Sequence, residues 1–254
     1  MHGNLRGAAC WRDLLLTMRL DACLSRCTSL SRKDARIAIR SGRVLIGGNP
    51  VSKASATVAD PATVTLDGQP LALPGHRYLM LHKPAGVLSA TTDADQPVVT
   101  DLLPEELATR VHPVGRLDLD TTGLLLLTSD GQWSHRITSP RHQCPKTYRV
   151  TLAEKLSDDG GRQLETGVLL RNETRPTRPA QIERVSDAVI DLTLSEGRYH
   201  QVKRMIAAVG NHVVALHRHR IGAVTLDDTL APGRFRDLTA DEIYRLAAPE
   251  QTSG

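Results

Sequence analysis

Two carboxylates stand two residues apart in Gly115-Arg116-Leu117-Asp118-Leu119-Asp120-Thr121-Thr122-Gly123, just ahead of four consecutive leucines at 124–127. An ionised carboxylate at the mouth of a buried strand can serve as nucleophile, base or acid. Asp120-Thr121-Thr122-Gly123 also has the composition of a turn whose side chains bond their own backbone, and that accounts for Asp120 locally. Asp118 fits a turn less well, because it follows Gly-Arg-Leu and precedes the turn. Residues two apart on an extended segment share a face, so the pair could instead divide acid and base work on a glycosidic bond. Tyr148, one of four tyrosines, stands among Lys146, Thr147 and Arg149. It is either an ordinary strand tyrosine or a ring for a planar substrate. Lys203 falls in a helical pattern beside Arg204, as an exposed helix lysine or as a cation for a carboxylate. His217-Arg218-His219-Arg220 sets two histidines at strand spacing without a third ligand nearby, so no metal is expected there. That basic run suits contact with a nucleic-acid backbone instead.

The surrounding pattern predicts the elements that would hold these groups. Residues 78–81 read as a strand ending in the turn Lys83-Pro84-Ala85-Gly86. Residues 124–128 read as a short buried strand, and 132–138 as a short helix. Strands are expected at 147–152, 188–194, 212–216 and 221–226. Val202, Met205, Ile206 and Val209 recur at helical spacing over 200–209, where Gly210-Asn211 stops the helix. A closing helix is expected at 240–247, capped by Thr239. Strands outnumber helices and short turns join several of them. The fold class is therefore α+β: a mixed, largely antiparallel sheet with flanking helices, preceded by a small N-terminal domain.

The Asp118 segment resembles the signature of pseudouridine synthases, in the branch that joins an S-four-like RNA-binding domain to the catalytic domain. The resemblance continues in Lys83-Pro84-Ala85-Gly86, in Lys146-Thr147-Tyr148-Arg149-Val150 and in Glu196-Gly197-Arg198-Tyr199-His200-Gln201-Val202-Lys203-Arg204-Met205, in the family's order. It implies isomerisation of uridine to pseudouridine without metal or cofactor. Asp118 would be the nucleophile or base at the ribose. Tyr148 would stack on the uracil and could assist loss of the C5 proton. Lys203, where the family often has Arg, would pair with Asp118, with Arg204 the candidate if the register slips by one. Arg116 would help extrude the target base. The stretch 129–140 resembles the branch acting on small-subunit (16S) ribosomal RNA, which implies uridine 516 of that RNA. Large-subunit rRNA is the alternative target, and a non-catalytic ribosome-assembly protein the alternative role.

The charge distribution agrees with a polyanionic partner. The 254 residues carry a formal charge of +4. Residues 18–60 hold eight basic and three acidic side chains, residues 1–17 add +1, and the remaining 194 carry −2. Ser31 is a fitting helix cap, followed by Arg32, Lys33, Arg36, Arg40 and Arg43, most of them at helical spacing with almost no acid on that face. This stripe, Leu20, Leu24 and Cys27 before it, and the hairpin around Gly47-Gly48-Asn49-Pro50 resemble the S-four-like domain. Arg32, Lys33, Arg36, Arg40, Arg43, Arg116, Arg198 and Arg204 are the expected RNA contacts. Aromatics are only 3% of the chain, too few for rows of stacking rings. No apolar run nears the roughly 20 residues of a membrane helix. Four scattered cysteines point to a reducing cytoplasm rather than a disulfide scaffold. The expected layout is a tail or over-called start at 1–17 with Met18 as initiator, an RNA-binding domain at 18–65, a linker at 66–76 and a catalytic domain at 77–250. The partner is small-subunit rRNA or its assembling particle, met by a monomer.

Overall fold

A computed structural model describes residues 18–28, 30–58, 63–71 and 75–247. The tail expected at 1–17 lies outside them. The chain divides into two compact units, residues 1–75 and 76–254.

In the first unit, β1 (Met18–Arg19) leads into α1 (Leu20–Cys27), followed by α2 (Arg32–Arg40), β2 (Val44–Ile46), β3 (Asn49–Pro50), β4 (Thr57–Val58), β5 (Val64–Leu66) and β6 (Gln69–Pro70). The Ser31 hydroxyl accepts from the Asp34 amide at 3.2 Å and donates to its carboxylate at 2.5 Å, which starts α2. Ala35, Ala38 and Ile39 of α2 bury against Leu20, Cys23 and Leu24 of α1. Arg32, Lys33, Arg36 and Arg40 are left on the exposed side. The face is less free of acid than the sequence suggests. Asp21, fully buried on α1, accepts from Arg19 and from Arg36, each at 3.1 Å, and Arg43 pairs with Asp67. The expected linker is also corrected. Asp67 and Gly68 both adopt left-handed φ, 52° and 79°, a two-residue turn that pairs β6 with β5. Pro70 fits because β6 is the edge of the β3-β2-β5-β6 sheet, and Leu71 is buried behind it.

The second unit is built on a nine-stranded sheet. Its path is β11 (Gln181–Ser186), β12 (Val189–Leu194), β10 (Lys146–Leu152), β13 (Val213–Ile221), β9 (Thr122–Thr128), β7 (Tyr78–Lys83) and β15 (Phe235–Asp237). Two short strands, β8 (His112–Val114) and β14 (Val224–Thr225), pair with β9 and β13, and the one-turn helix α3 (Glu105–Ala108) precedes β8. All pairings are antiparallel except β13 with β9, which run parallel over two residue pairs, His217 with Thr122 and Arg218 with Gly123. This brief contact joins an antiparallel half from β11 to β13 to a second half from β9 to β15.

The four leucines at 124–127 form a continuous run because β9 is buried on both faces. Leu124 and Leu126 pack with Met80, with Trp133 and Ile137 of α4 (Gly131–Thr138), and with Leu246 of α7 (Ala240–Ala247). Leu125 and Leu127 pack with Leu79, Leu81, Val99 and Leu117. Across the junction, α6 (Gln201–Ala208) sets Met205 and Ile206 against Val150, Ile190 and Leu192. The strand expected at 212–216 runs on through 217–220 to Ile221 as β13, and of the strand expected at 221–226 only Val224–Thr225 is separate, as β14. The middle of β13 reads as a polar loop, yet Leu216 and Arg218 alternate inward. The pattern also misses α5 (Asp158–Thr166) and β11. Gly160-Gly161 interrupts the helical signal of α5, and most of β11 is exposed.

Candidate active site

Asp118 lies in the loop entering β9, beside the parallel junction, and the junction needs Gly123. A Cβ there would overlap the carbonyl oxygen of Arg218 and lie 2.8 Å from its nitrogen. Its φ of +108° is likewise a glycine conformation.

The loop is fixed by groups from β7 and the turn after it. Ser89 brackets Leu117: its hydroxyl donates to the Leu117 carbonyl at 2.8 Å and accepts from the Leu117 amide at 3.0 Å. The Gly86 amide donates to Leu119 O at 2.8 Å. Lys83, with no solvent exposure, directs its ammonium at four carbonyls. These are Thr121 O at 2.9 Å, Pro84 O at 3.0 Å, Asp118 O at 3.1 Å and Leu119 O at 3.3 Å. An ammonium has three donors; Leu119 O and Asp118 O also accept from the Gly86 and Thr121 amides, and the ammonium supplies the donor for Thr121 O and Pro84 O. Burial pushes the Lys83 ammonium down to about 8, against the pull of Asp120 and Asp118. The sequence reads Lys83-Pro84-Ala85-Gly86 as a turn and as part of the family resemblance, with no role for Lys83; the structure makes Lys83 the cation that holds the Asp118 backbone.

The Asp118 carboxylate remains partly exposed, and two groups from one segment face it. Lys203 Nζ is 3.9 Å from Oδ2 and His200 Nε2 is 3.6 Å from Oδ1. Lys203 also donates to both oxygens of Asp120, at 2.6 and 2.7 Å. The shorter contact therefore runs to Asp120, and the ammonium bridges the two carboxylates. That hydrogen bond holds Asp120 below the ordinary carboxylate range. A glycosidase acid needs a raised pKa, so Asp120 is unsuited to the acid role in the paired scheme. Sequence reasoning passed over His200. Its left-handed φ of 48° at the start of α6, uncommon for a non-glycine residue, turns its ring towards Asp118.

Tyr148 comes from β10, half-buried between the two core clusters that meet at the junction. Behind it lies Arg218, only 2% exposed. Its Nε donates to Leu124 O at 2.9 Å, and Nη1 reaches Arg116 O and the Tyr148 hydroxyl, each at 3.4 Å. Its guanidinium carbon is 5.8 Å from the Tyr148 ring centre. Nη2 has no hydrogen-bond partner among the described residues. The run 217–220, expected as a surface for RNA, therefore places Arg218 beneath the site, because an inward strand position carries it there.

The remaining expected RNA contacts separate. Arg116 is exposed beside Asp118. Arg198 and Arg204 are engaged within the protein: both bind Glu173, at 2.6 and 2.8 Å, and both also donate to backbone carbonyls. Both guanidiniums are thus held by the protein's own groups rather than left unpaired. Among the described residues no group of three His, Cys, Asp or Glu is disposed to hold a metal ion, and no helix is long and apolar enough to cross a membrane.

Comparison with known proteins bears on this arrangement. A family model described as RNA pseudouridylate synthase matches residues 77–208. Ribosomal small subunit pseudouridine synthase A of Yersinia pestis is 52% identical over 233 residues, 91% of this chain and 99% of that protein. The protein of the same name from Escherichia coli (strain K12) is 52% identical over 227 residues, 89% of this chain and 98% of its own. A solved structure described as a pseudouridylate synthase has a TM-score of 0.67 at 45% identity, covering 90% of this chain and 99% of the other.

Proposed function

The chain belongs to the RNA pseudouridylate synthases, and from that premise we propose that it converts one uridine of small-subunit (16S) ribosomal RNA, uridine 516, to pseudouridine. The N1–C1′ bond breaks, the uracil turns, C5 bonds to C1′, and the proton lost from C5 is balanced by one gained at N1. Nothing is oxidised or reduced. Asp118 acts at the ribose, by attack on C1′ or by removal of a ribose proton. The observation that carries this reading is the Asp118 carboxylate itself: partly exposed, on a backbone gripped by Lys83 and Ser89, facing Lys203 and His200. The Lys203 ammonium, 3.9 Å from Asp118, favours the ionised carboxylate when a bound nucleoside excludes water. Tyr148 stacks on the turning uracil, and Arg116 enters the space that the extruded base leaves. The first unit is an S-four-like module that holds structured RNA through the exposed Arg32, Lys33 and Arg40. The protein works as a monomer in the cytoplasm, where small subunits assemble.

The test incubates the protein with unmodified small-subunit rRNA, or with an assembling small-subunit particle, and maps pseudouridine by carbodiimide-dependent reverse-transcriptase stops. One new stop at uridine 516 is expected from the wild-type chain and none from Asp118→Ala. No new stop, or equal product from the variant, rejects the reading; a stop elsewhere in the 16S RNA rejects the assigned nucleotide.

A further inference from the structure

Tyr199 is the most exposed aromatic side chain among the described residues, at 75%. Its ring lies on the His200 imidazole, with centres 3.8 Å apart and planes 18° from parallel. One face of the phenol is thereby covered and the other is open. The stack is built into the segment before α6. Arg204 donates to Tyr199 O at 3.2 Å, and the Gln201 side chain accepts from the Arg198 amide at 2.7 Å. Because His200 Nε2 is 3.6 Å from Asp118, the two rings lead outward from the carboxylate.

A second feature borders the same segment. Glu173 lies in the loop between α5 and β11 and bridges Arg198 and Arg204. Arg198 also donates to Arg175 O and Pro176 O, at 3.0 and 2.6 Å, and Arg204 to Arg171 O at 2.8 Å. The loop's carbonyls are thus turned towards the segment that carries Tyr199. The side chains of Arg171 and Arg175 are exposed and form no ion pair among the described residues. Two free guanidiniums therefore stand on the loop that is bound to an open aromatic face.

We propose that Tyr199 with Arg171 and Arg175 forms the binding surface for the single-stranded RNA flanking the target uridine: Tyr199 stacks on a neighbouring base and the two arginines take phosphates. The proposal rests on the reading that the chain acts on RNA. Extruding a base deprives its neighbours of a stacking partner, and an open aromatic ring replaces what is lost. Arginine suits phosphate through its planar pair of donors. The engaged Arg198 and Arg204 are then the framework of this surface, and Arg171 and Arg175 its contacts.

The experiment uses the full chain and a fluorescein-labelled single-stranded fragment of unmodified small-subunit rRNA spanning the target. Kd is read by anisotropy, independently of turnover, and kcat is read separately on the whole rRNA. Tyr199→Leu is expected to raise Kd about 10-fold, within the range of one lost base–aromatic stack. Tyr199→Phe, which keeps the ring, should restore binding. The pair Arg171→Ala with Arg175→Ala should reduce the slope of log K against log salt by about 1.4, at about 0.7 per single-strand phosphate contact. An unchanged Kd in Tyr199→Leu overturns the proposal, whether or not kcat falls, since a kcat loss alone would mean that the ring only braces His200. Equal loss in Tyr199→Phe and Tyr199→Leu, or an unchanged salt slope in the arginine pair, also overturns it. Failure of the wild-type chain to make pseudouridine would count against the proposed function and leave the Kd comparison decisive here.

Discussion

Lys83 illustrates how a side chain that touches no substrate can govern the one that does. Its ammonium is the shared donor of four carbonyls around Asp118, and it has no direct carboxylate partner. Methionine at this position fills similar space but takes away the donor shared by Thr121 O and Pro84 O, at a cost of order 1–3 kcal/mol for a buried group. Lys83→Met should therefore lower kcat by about 10-fold or more, equivalent to about 1.4 kcal/mol of barrier, while KM for RNA changes little. The pH profile supplies an independent mark. With its pKa held near 8, Lys83 loses its proton as pH rises past that point, so wild-type kcat should fall there. Stability responds in the opposite sense. The unfolded chain keeps this proton up to about pH 10.4. Over that window it binds more protons than the folded one, and titration of Lys83 raises folding stability with pH. Loss of kcat near pH 8 without a fall in Tm would assign the limb to the loop rather than to unfolding. A limb that persists unchanged in Lys83→Met would reject the assignment.

Among the elements, the contact between β9 and β13 decides the most. Two residue pairs join the halves of the nine-stranded sheet, and the site forms where they meet. Asp118 enters from the β9 side, while Tyr148 and Arg218 come from β10 and β13. Gly123 permits the close approach. Gly123→Ala would force the β13 backbone away from β9 or distort a φ that alanine does not readily adopt. A loss of about 3 kcal/mol is expected, in the range of overpacked core sites, with a Tm lower by several degrees. Activity should fall with it, because Arg218 bonds Leu124 O across the same contact. A fully stable, fully active variant would show that the junction tolerates a wider spacing.

At the scale of the whole molecule, the formal charge of +4 is concentrated rather than spread. The first unit carries the excess, and tertiary contacts sort its cations. Arg36 and Arg43 are paired with Asp21 and Asp67, whereas Arg32, Lys33 and Arg40 are exposed without an ion pair among the described residues. Exposed ion pairs add little stability, so their larger effect here is to remove two guanidiniums from competition for phosphate. Replacing Arg32, Lys33 and Arg40 together by alanine should weaken rRNA binding and reduce its log–log salt slope by about 2, at about 0.7 per contact. Tm should hardly move, since surface changes of this kind are worth about 0.5 kcal/mol or less each. An unchanged slope, measured by filter binding across a salt series, would move the electrostatic contact elsewhere on the chain.

Much of the site is legible along the chain. The leucine run at 124–127 marks a strand buried on both faces, and the carboxylate just before it marks the candidate site. Ser31 and Gly42 bracket the basic helix because capping is a local hydrogen-bond matter, satisfied within a few residues. The apolar spacing of 202, 205, 206 and 209 likewise identifies α6. These features depend on period and composition, which a single sequence displays. Three others emerge only in the folded molecule. Arg218 lies in a basic run that suggests a solvated surface, yet an inward strand position buries it beneath Tyr148. Lys83 precedes a Pro-Ala-Gly turn, and its role exists only because residues 118–121, more than 30 positions away, fold their carbonyls around it. Arg198 and Arg204 have the same residue type as Arg171 and Arg175, but Glu173 engages the first two and leaves the second two free. The reason is common to all three. Residue type states which charge or donor is available, whereas its partner and its exposure to water are set by contacts distant in sequence.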